Sequence, residues 1–289
     1  MEDRRHEHTH IRATTAGKEV HSMTTKTRPL ALVTGSSSGI GQAYAERLAA
    51  DGHDLVVVAR RGDRLADLRQ RLESQHGVRV SPMVADLSTE AGMRQVDAAA
   101  ADPRIEVVVG CAGLAHFMPF LDLPAEKAEE LVKLDVLAPV RLIRSALPGM
   151  VERGKGTVIS IASQLVFSAT ADNPNLPRRA VYTASKAFLF TLIRLLAIEL
   201  GDAGVRLQVV CPGIVRTEFH TRQNMDLSDR PRLEPEQVVQ ASMVGLERGE
   251  VVCIPTLEEA ERLDRHARAE LDVLMGGMQI TALAGRYLS

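Results

Sequence analysis

Tryptophan is absent from this chain, and aromatic residues are only 3% of it. So sparse a set offers no stacking platform for single-stranded nucleic acid. Net charge is nearly absent too, at −2, so neither nucleic acid nor an anionic membrane is expected as a partner. The cysteines are three, Cys111, Cys211 and Cys253, widely spaced and without a C-x-x-C pair. That spacing argues against a disulfide framework or a metal site and fits a reducing, cytoplasmic location. Long hydrophobic runs are lacking as well. The longest, residues 187–200, carries Arg194 and Glu199 and is too short to span a bilayer. Residues 1–28 have no apolar periodicity and no apolar h-region of a secretory signal, and read as a disordered tail. His6, His8, His10 and His21 are then a solvated extension, or lie upstream of a working start at Met23.

What remains, residues 29–289, suffices for one α/β domain with a large core. Short β-branched runs at 30–34, 55–59, 78–84, 105–109, 156–161 and 205–210 alternate with helical patterns at 42–50, 63–75, 88–101, 124–150 and 187–200. This alternation predicts a Rossmann-type, doubly wound parallel β-sheet flanked by helices.

Three stretches carry chemistry. Gly35-Ser36-Ser37-Ser38-Gly39-Ile40-Gly41 lies between the first strand and the first helix. Glycines there let backbone approach a pyrophosphate, and the helix N-terminus supplies free N–H groups and a positive dipole. Ser37 and Ser38 add hydroxyl donors. The second strand ends at Arg60-Arg61. An acidic residue near this point would bind a ribose 2′-hydroxyl, whereas arginine suits a 2′-phosphate, so NADP(H) is the expected cofactor. Asp86 and Leu87 end the third strand and are candidates for the adenine pocket, and Gly110-Cys111-Ala112-Gly113 ends the fourth. Finally, Tyr182 and Lys186 are four residues apart. On a helix they share one face, where an ammonium beside a phenol favours the phenolate. Ser163, at the C-terminal end of the fifth strand, faces the same crevice.

Taken together, Thr34-Gly35-x-x-x-Gly39-x-Gly41, Asp86, Cys111-Ala112-Gly113, Ser163, Tyr182-x-x-x-Lys186 and Pro212-Gly213-x-Val215-x-Thr217 resemble the short-chain dehydrogenase/reductase family over about residues 29–217. The resemblance implies hydride transfer between NADP(H) and a small carbonyl or alcohol substrate. It implies Tyr182 as acid/base, Ser163 as a donor to the carbonyl oxygen, Lys186 on the nicotinamide ribose, and Thr217 on the carboxamide. It further implies a lid at about 217–232 and a homodimer or homotetramer built on the helical patterns at 124–150 and 181–200. Residues 256–289 are expected to form a helical extension, with Thr256 as N-cap of its helix.

Three features depart from the family pattern. Gly110-Cys111 replaces an asparagine pair. Nineteen positions separate Ser163 from Tyr182, several more than is usual, and the extra piece either covers the substrate mouth or is a longer surface loop. Asp135 stands where asparagine helps to hold a water near the lysine. An ionised Asp135 would stabilise the ammonium and oppose the phenolate, raising both pKa values. Alternatively it is protonated, or merely faces water or a helix partner. An apolar ketone is favoured as substrate because Leu114, Phe117, Met118 and Val166 follow the strands that border the site. Two other readings compete with this one. A non-catalytic NADP(H)-binding sensor is motivated by the departures. An S-adenosylmethionine methyltransferase is opposed by the charge of Arg60.

Overall fold

The computed structural model describes residues 28–173, 176, 178–278 and 282–288. The four tail histidines, Met23, Pro174 and Pro177 lie outside the described residues. Seven parallel strands form one sheet in the order β3-β2-β1-β4-β5-β6-β7. They are β1 (Leu30–Thr34), β2 (Asp54–Ala59), β3 (Val80–Val84), β4 (Ile105–Gly110), β5 (Gly156–Ile161), β6 (Val205–Val210) and the short β7 (Val252–Cys253). The strand order reverses between β1 and β4, so a crevice opens there at the strands' carboxyl ends.

Both faces of the sheet are covered, which is why its strands read as unbroken apolar runs. In β1, Ala31 and Val33 point to one face, and Leu30 and Leu32 to the other. On the first face lie α1 (Gly39–Ala50), α2 (Gly62–His76) and α8 (Pro235–Glu247), through Leu48, Leu65 and Val238 among others. On the second lie α3 (Glu90–Ala100), α5 (Ala138–Glu152) and α6 (Ala180–Leu200), through Met93, Ile143 and Ile193. Pro82 is tolerated in β3 because that strand is an edge, where a missing N–H breaks no inner ladder.

The helical pattern at 124–150 proves to be three segments. α4 (Ala125–Val132) passes through a π turn, Lys133–Leu137, into α5. Such a turn inserts one residue into the helical register and re-aims the side chains it carries. Asp135 is at its centre. The final helix also differs from expectation. α9 (Glu261–Met278) starts five residues beyond Thr256. A turn closed by Leu257 N–H on the Ile254 carbonyl, with Pro255 at its second position, takes up the segment meant for the cap.

α6 is long and apolar enough, by length and composition alone, to cross a membrane. Here it packs on the sheet through Phe190 and Ile193, buries Leu189, and leaves Phe188, Leu195 and Ile198 exposed. Between β6 and α8, the segment 217–232 includes the single-turn α7 (Glu218–Thr221). Its two ends are pinned together by a parallel bridge between Val215 and Leu233, with Leu233 N–H on the Ile214 carbonyl at 3.1 Å.

Candidate active site

The crevice is a cavity of about 1030 Å³. One wall is the glycine-rich turn. Gly35 has φ +72°, and a Cβ there would fall 2.9 Å from the Ala112 backbone nitrogen. Thr34 ties the two turns together: its hydroxyl oxygen accepts from Cys111 N–H at 3.0 Å and Ala112 N–H at 3.1 Å. This brings Gly35, Ser37, Ser38, Gly39 and Ile40 into line with Cys111, Ala112 and Gly113 along the cavity. Gly41 lies behind the wall. A Cβ there would meet the Gly35 carbonyl oxygen at 2.5 Å, so this glycine lets α1 close under the turn. Burial pushes the Cys111 thiol up to about 12, so at neutral pH it is a wall and not a nucleophile.

Arg60, Arg61, Asp86 and Leu87 line the same cavity beside the turn. Arg60 is exposed and makes no side-chain hydrogen bond among the described residues. Arg61 is engaged by Ser37 and Ser38 and by Glu218. The Asp86 carboxylate accepts from Ser88 N–H at 2.9 Å and Ser88 O–H at 2.7 Å.

At the other end Ser163, Tyr182 and Lys186 reach the same cavity, together with Pro212, Gly213, Val215 and Thr217. Tyr182 is buried, with the Phe117 ring edge-on at 5.2 Å and Phe219 at 6.1 Å. The Ser163 hydroxyl is close enough to favour its phenolate. Lys186 Nζ lies 5.8 Å from the centre of the Tyr182 ring and donates to the Ile161 carbonyl at 3.3 Å.

Asp135 is fully buried and does not line the cavity; it sits behind Lys186, its Oδ1 3.5 Å from Nζ. Oδ1 also accepts from Leu114 N–H at 3.3 Å, and Ser185 Oγ lies 3.5 Å from Oδ2. Burial excludes the solvent-facing reading of this residue, while the helix-partner reading holds in that Ser185 and Lys186 both belong to α6. Burial pushes the Asp135 carboxyl up, against the pull of Lys186. Burial pulls the Lys186 ammonium down, but Asp135 and the phenol outweigh it and the net direction is upward. Burial pushes the Tyr182 phenol up, and Asp135 adds to this while Lys186 opposes it. The lowered phenol pKa expected from Tyr182 and Lys186 alone is thus reversed.

The apolar wall differs in detail from expectation. Phe117 lines the cavity, but Val166 turns into the core beneath, and Leu114 and Met118 are likewise off the wall. A 3-10 turn, Gln164–Ser168, brings Gln164, Leu165 and Phe167 to the cavity instead. The extra piece before Tyr182 adds Ala171, Asn173 and Leu176 to the lining, so of its two readings the mouth-covering one fits the geometry. Phe219, His220, Met225 and Leu227 of the segment 217–232 complete the rim. Gln164 escaped sequence reasoning although it directly follows Ser163. Leu176 and Leu227 escaped because they lie in stretches without periodicity.

The comparisons agree with this geometry. The short chain dehydrogenase family model matches residues 29–228. A short-chain dehydrogenase from Sphingobium yanoikuyae, solved in complex with NADPH, is 37% identical with a TM-score of 0.84, over 90% of this chain and 99% of that one. A bulky-bulky ketone specific alcohol dehydrogenase from Comamonas testosteroni is 32% identical with a TM-score of 0.80, over the same shares, 90% and 99%. Among curated proteins, the very-long-chain 3-oxoacyl-CoA reductase of Anas platyrhynchos is 30% identical over 232 residues, which is 78% of this chain and 72% of that protein. With its glycine-rich turn, its Ser163, Tyr182 and Lys186 on one cavity, and this match along most of its length, the chain belongs to the short-chain dehydrogenase family.

Proposed function

We propose that the protein is an NADP(H)-dependent oxidoreductase acting on a carbonyl or alcohol carbon of a bulky, largely apolar substrate. The observation that carries this is the placement of Ser163, Tyr182 and Lys186 at one end of the cavity whose other end is the glycine-rich turn and two arginines. The residues fit a dinucleotide. The turn at Gly35 has no room for a side chain, α1 begins at the cavity, and the anion-binding groups Ser37, Ser38, Arg60 and Arg61 gather at one end. The Gly35–Gly41 turn would hold the pyrophosphate, and the two arginines and serines the 2′-phosphate. Asp86, Leu87 and Cys111–Gly113 would border the adenosine. Lys186, Pro212, Gly213, Val215 and Thr217 would border the nicotinamide end.

When bound, NADP(H) supplies or accepts the hydride. The chain's own residues handle the oxygen and its proton. Ser163 and Tyr182 donate hydrogen bonds to the carbonyl oxygen and stabilise the negative charge that grows there. Tyr182, held protonated at neutral pH, delivers its proton. The Lys186 ammonium stabilises the phenolate left behind, and Asp135 keeps that lysine charged. Phe117, Leu165, Phe167, Leu176 and Phe219 exclude water and favour an apolar substrate. The cavity, at the upper end of the ordinary range for a ligand site, extends past the turn to the apolar wall that would face the substrate. The sensor and methyltransferase readings find no support here.

The segment 217–232 acts as a lid over the substrate, and residues 256–278 and 282–288 form an extension beyond the nucleotide-binding domain. A homodimer or homotetramer is supported by the exposed apolar side chains Phe188, Leu195 and Ile198 on α6. A cytoplasmic location is supported by three unpaired thiols. The cofactor assignment is tested by fluorescence titration with NADPH and NADH, with Arg60→Asp in parallel. Tighter NADPH binding that the variant loses supports the assignment. Equal binding of the two by the unmodified protein overturns it.

A further inference from the structure

Both edges of the Arg61 guanidinium are occupied. Nε and Nη2 face the glycine-rich turn and donate to Ser37 Oγ at 3.1 and 2.8 Å, and Nη2 also donates to Ser38 Oγ at 2.8 Å. Nη1 faces the opposite way and donates to Glu218 Oε2 at 2.8 Å. The other oxygen of Glu218 accepts from Arg64 Nη1 at 2.6 Å, and Arg222, just past the end of α7, closes the cluster on Oε2. One carboxylate therefore gathers arginines from the turn after β2, from α2 and from the lid. It directly follows Thr217, which packs so closely on the glycine-rich turn that a Cβ at Gly39 would fall 2.7 Å from its methyl group.

A phosphate monoester arriving at Arg61 meets a cation that already has an anion on it. The serine contacts do not stand in its way. Each hydroxyl accepts from Arg61 and keeps a proton to give a phosphate oxygen. Glu218 has no such proton, because hydrogen bonds from Arg61 and Arg64 hold its carboxyl down to about 2. Two anions cannot share the Nη1 edge at full strength. We propose that Glu218 is a specificity-determining residue whose carboxylate competes with the cofactor's 2′-phosphate for Arg61. It thereby limits the margin between phosphorylated and unphosphorylated cofactor and links the lid to that subsite. The proposal rests on the NADP(H) assignment. When the phosphate takes Arg61, the lid loses one of the arginines that fasten it to the nucleotide side and keeps Arg64.

The test is calorimetric titration of the full chain with 2′,5′-ADP and with 5′-AMP, which differ by the phosphate in question. Glu218→Gln removes the charge. Glu218→Asp keeps the charge but draws it back by one methylene. We expect both variants to bind 2′,5′-ADP more tightly than the unmodified protein by roughly fivefold, the size of a partly exposed charge pair, with 5′-AMP unchanged. An effect in Glu218→Gln alone identifies a general field and overturns competition for Arg61. Weaker 2′,5′-ADP binding in both variants shows that Glu218 positions Arg61 for the phosphate, and also overturns it, as does no change in either. Equal binding of the two nucleotides by the unmodified protein removes the cofactor assignment itself, and the proposal with it.

Discussion

Gly113 and the Asp135–Lys186 pair leave each other no slack. A Cβ at position 113 would fall 2.9 Å from Asp135 Oδ1 and 3.1 Å from Lys186 Nζ. Gly113→Ala should push the pair apart and lower kcat by roughly 10²-fold, the cost of an ångström-scale displacement of a reacting group. Circular dichroism unchanged from the unmodified protein, alongside that loss, would place the defect in the site. Asp135 itself acts through charge. Alcohol oxidation needs the phenolate of Tyr182, and negative charge on the buried Asp135 opposes it. Asp135→Asn removes that charge, so the phenol pKa falls and the rising limb of the alcohol-oxidation profile moves to lower pH. A profile that stays in place would show that Asp135 does not set the proton affinity of Tyr182. Tyr182 and Lys186 were legible in the sequence because a four-residue spacing on a helix is a contact in itself. Glu218 and Arg61 are 157 positions apart, and no local pattern announces that they meet.

Elements were legible to the degree that their periodicity was unbroken. The strands β1, β4 and β5 stand out because both their faces are buried. The π turn does not stand out. It adds one residue within a long apolar repeat, and a hydrophobic pattern of 27 residues absorbs that without a visible fault. Yet this turn carries Asp135 to Lys186. α9 was misplaced at its start because Thr256 carries the composition of a cap while Pro255 commits the segment to a turn. On α6 the division of faces yields a direct test. Ile193 is fully buried. Ile193→Ala should lower unfolding free energy by about 2–5 kcal/mol in a denaturant titration, the range for a cavity in a packed core. A change below about 0.5 kcal/mol, typical of exposed positions, would contradict the packing of α6 on the sheet.

For the whole molecule, the outer face of α6 is where assembly is expected. Ile198 is 77% exposed and lies on the same helix as exposed Phe188 and Leu195. Ile198→Glu should shift the protein to monomer in sedimentation velocity without lowering its unfolding midpoint. An unchanged sedimentation coefficient for an oligomeric protein would locate the interface elsewhere. The sheet order, the glycine-rich turn and the Ser163, Tyr182 and Lys186 cluster all serve one cavity, and the chemistry assigned to it turns on Tyr182. The most direct measurement is single-turnover consumption of NADPH with bulky aryl ketones by the unmodified protein and by Tyr182→Phe. We expect both proteins to bind NADPH equally, and the variant to reduce ketones roughly 10²–10⁴-fold more slowly, the contribution of a positioned proton donor. A Tyr182→Phe protein that turns over at the original rate would contradict the assignment of the reaction to this site.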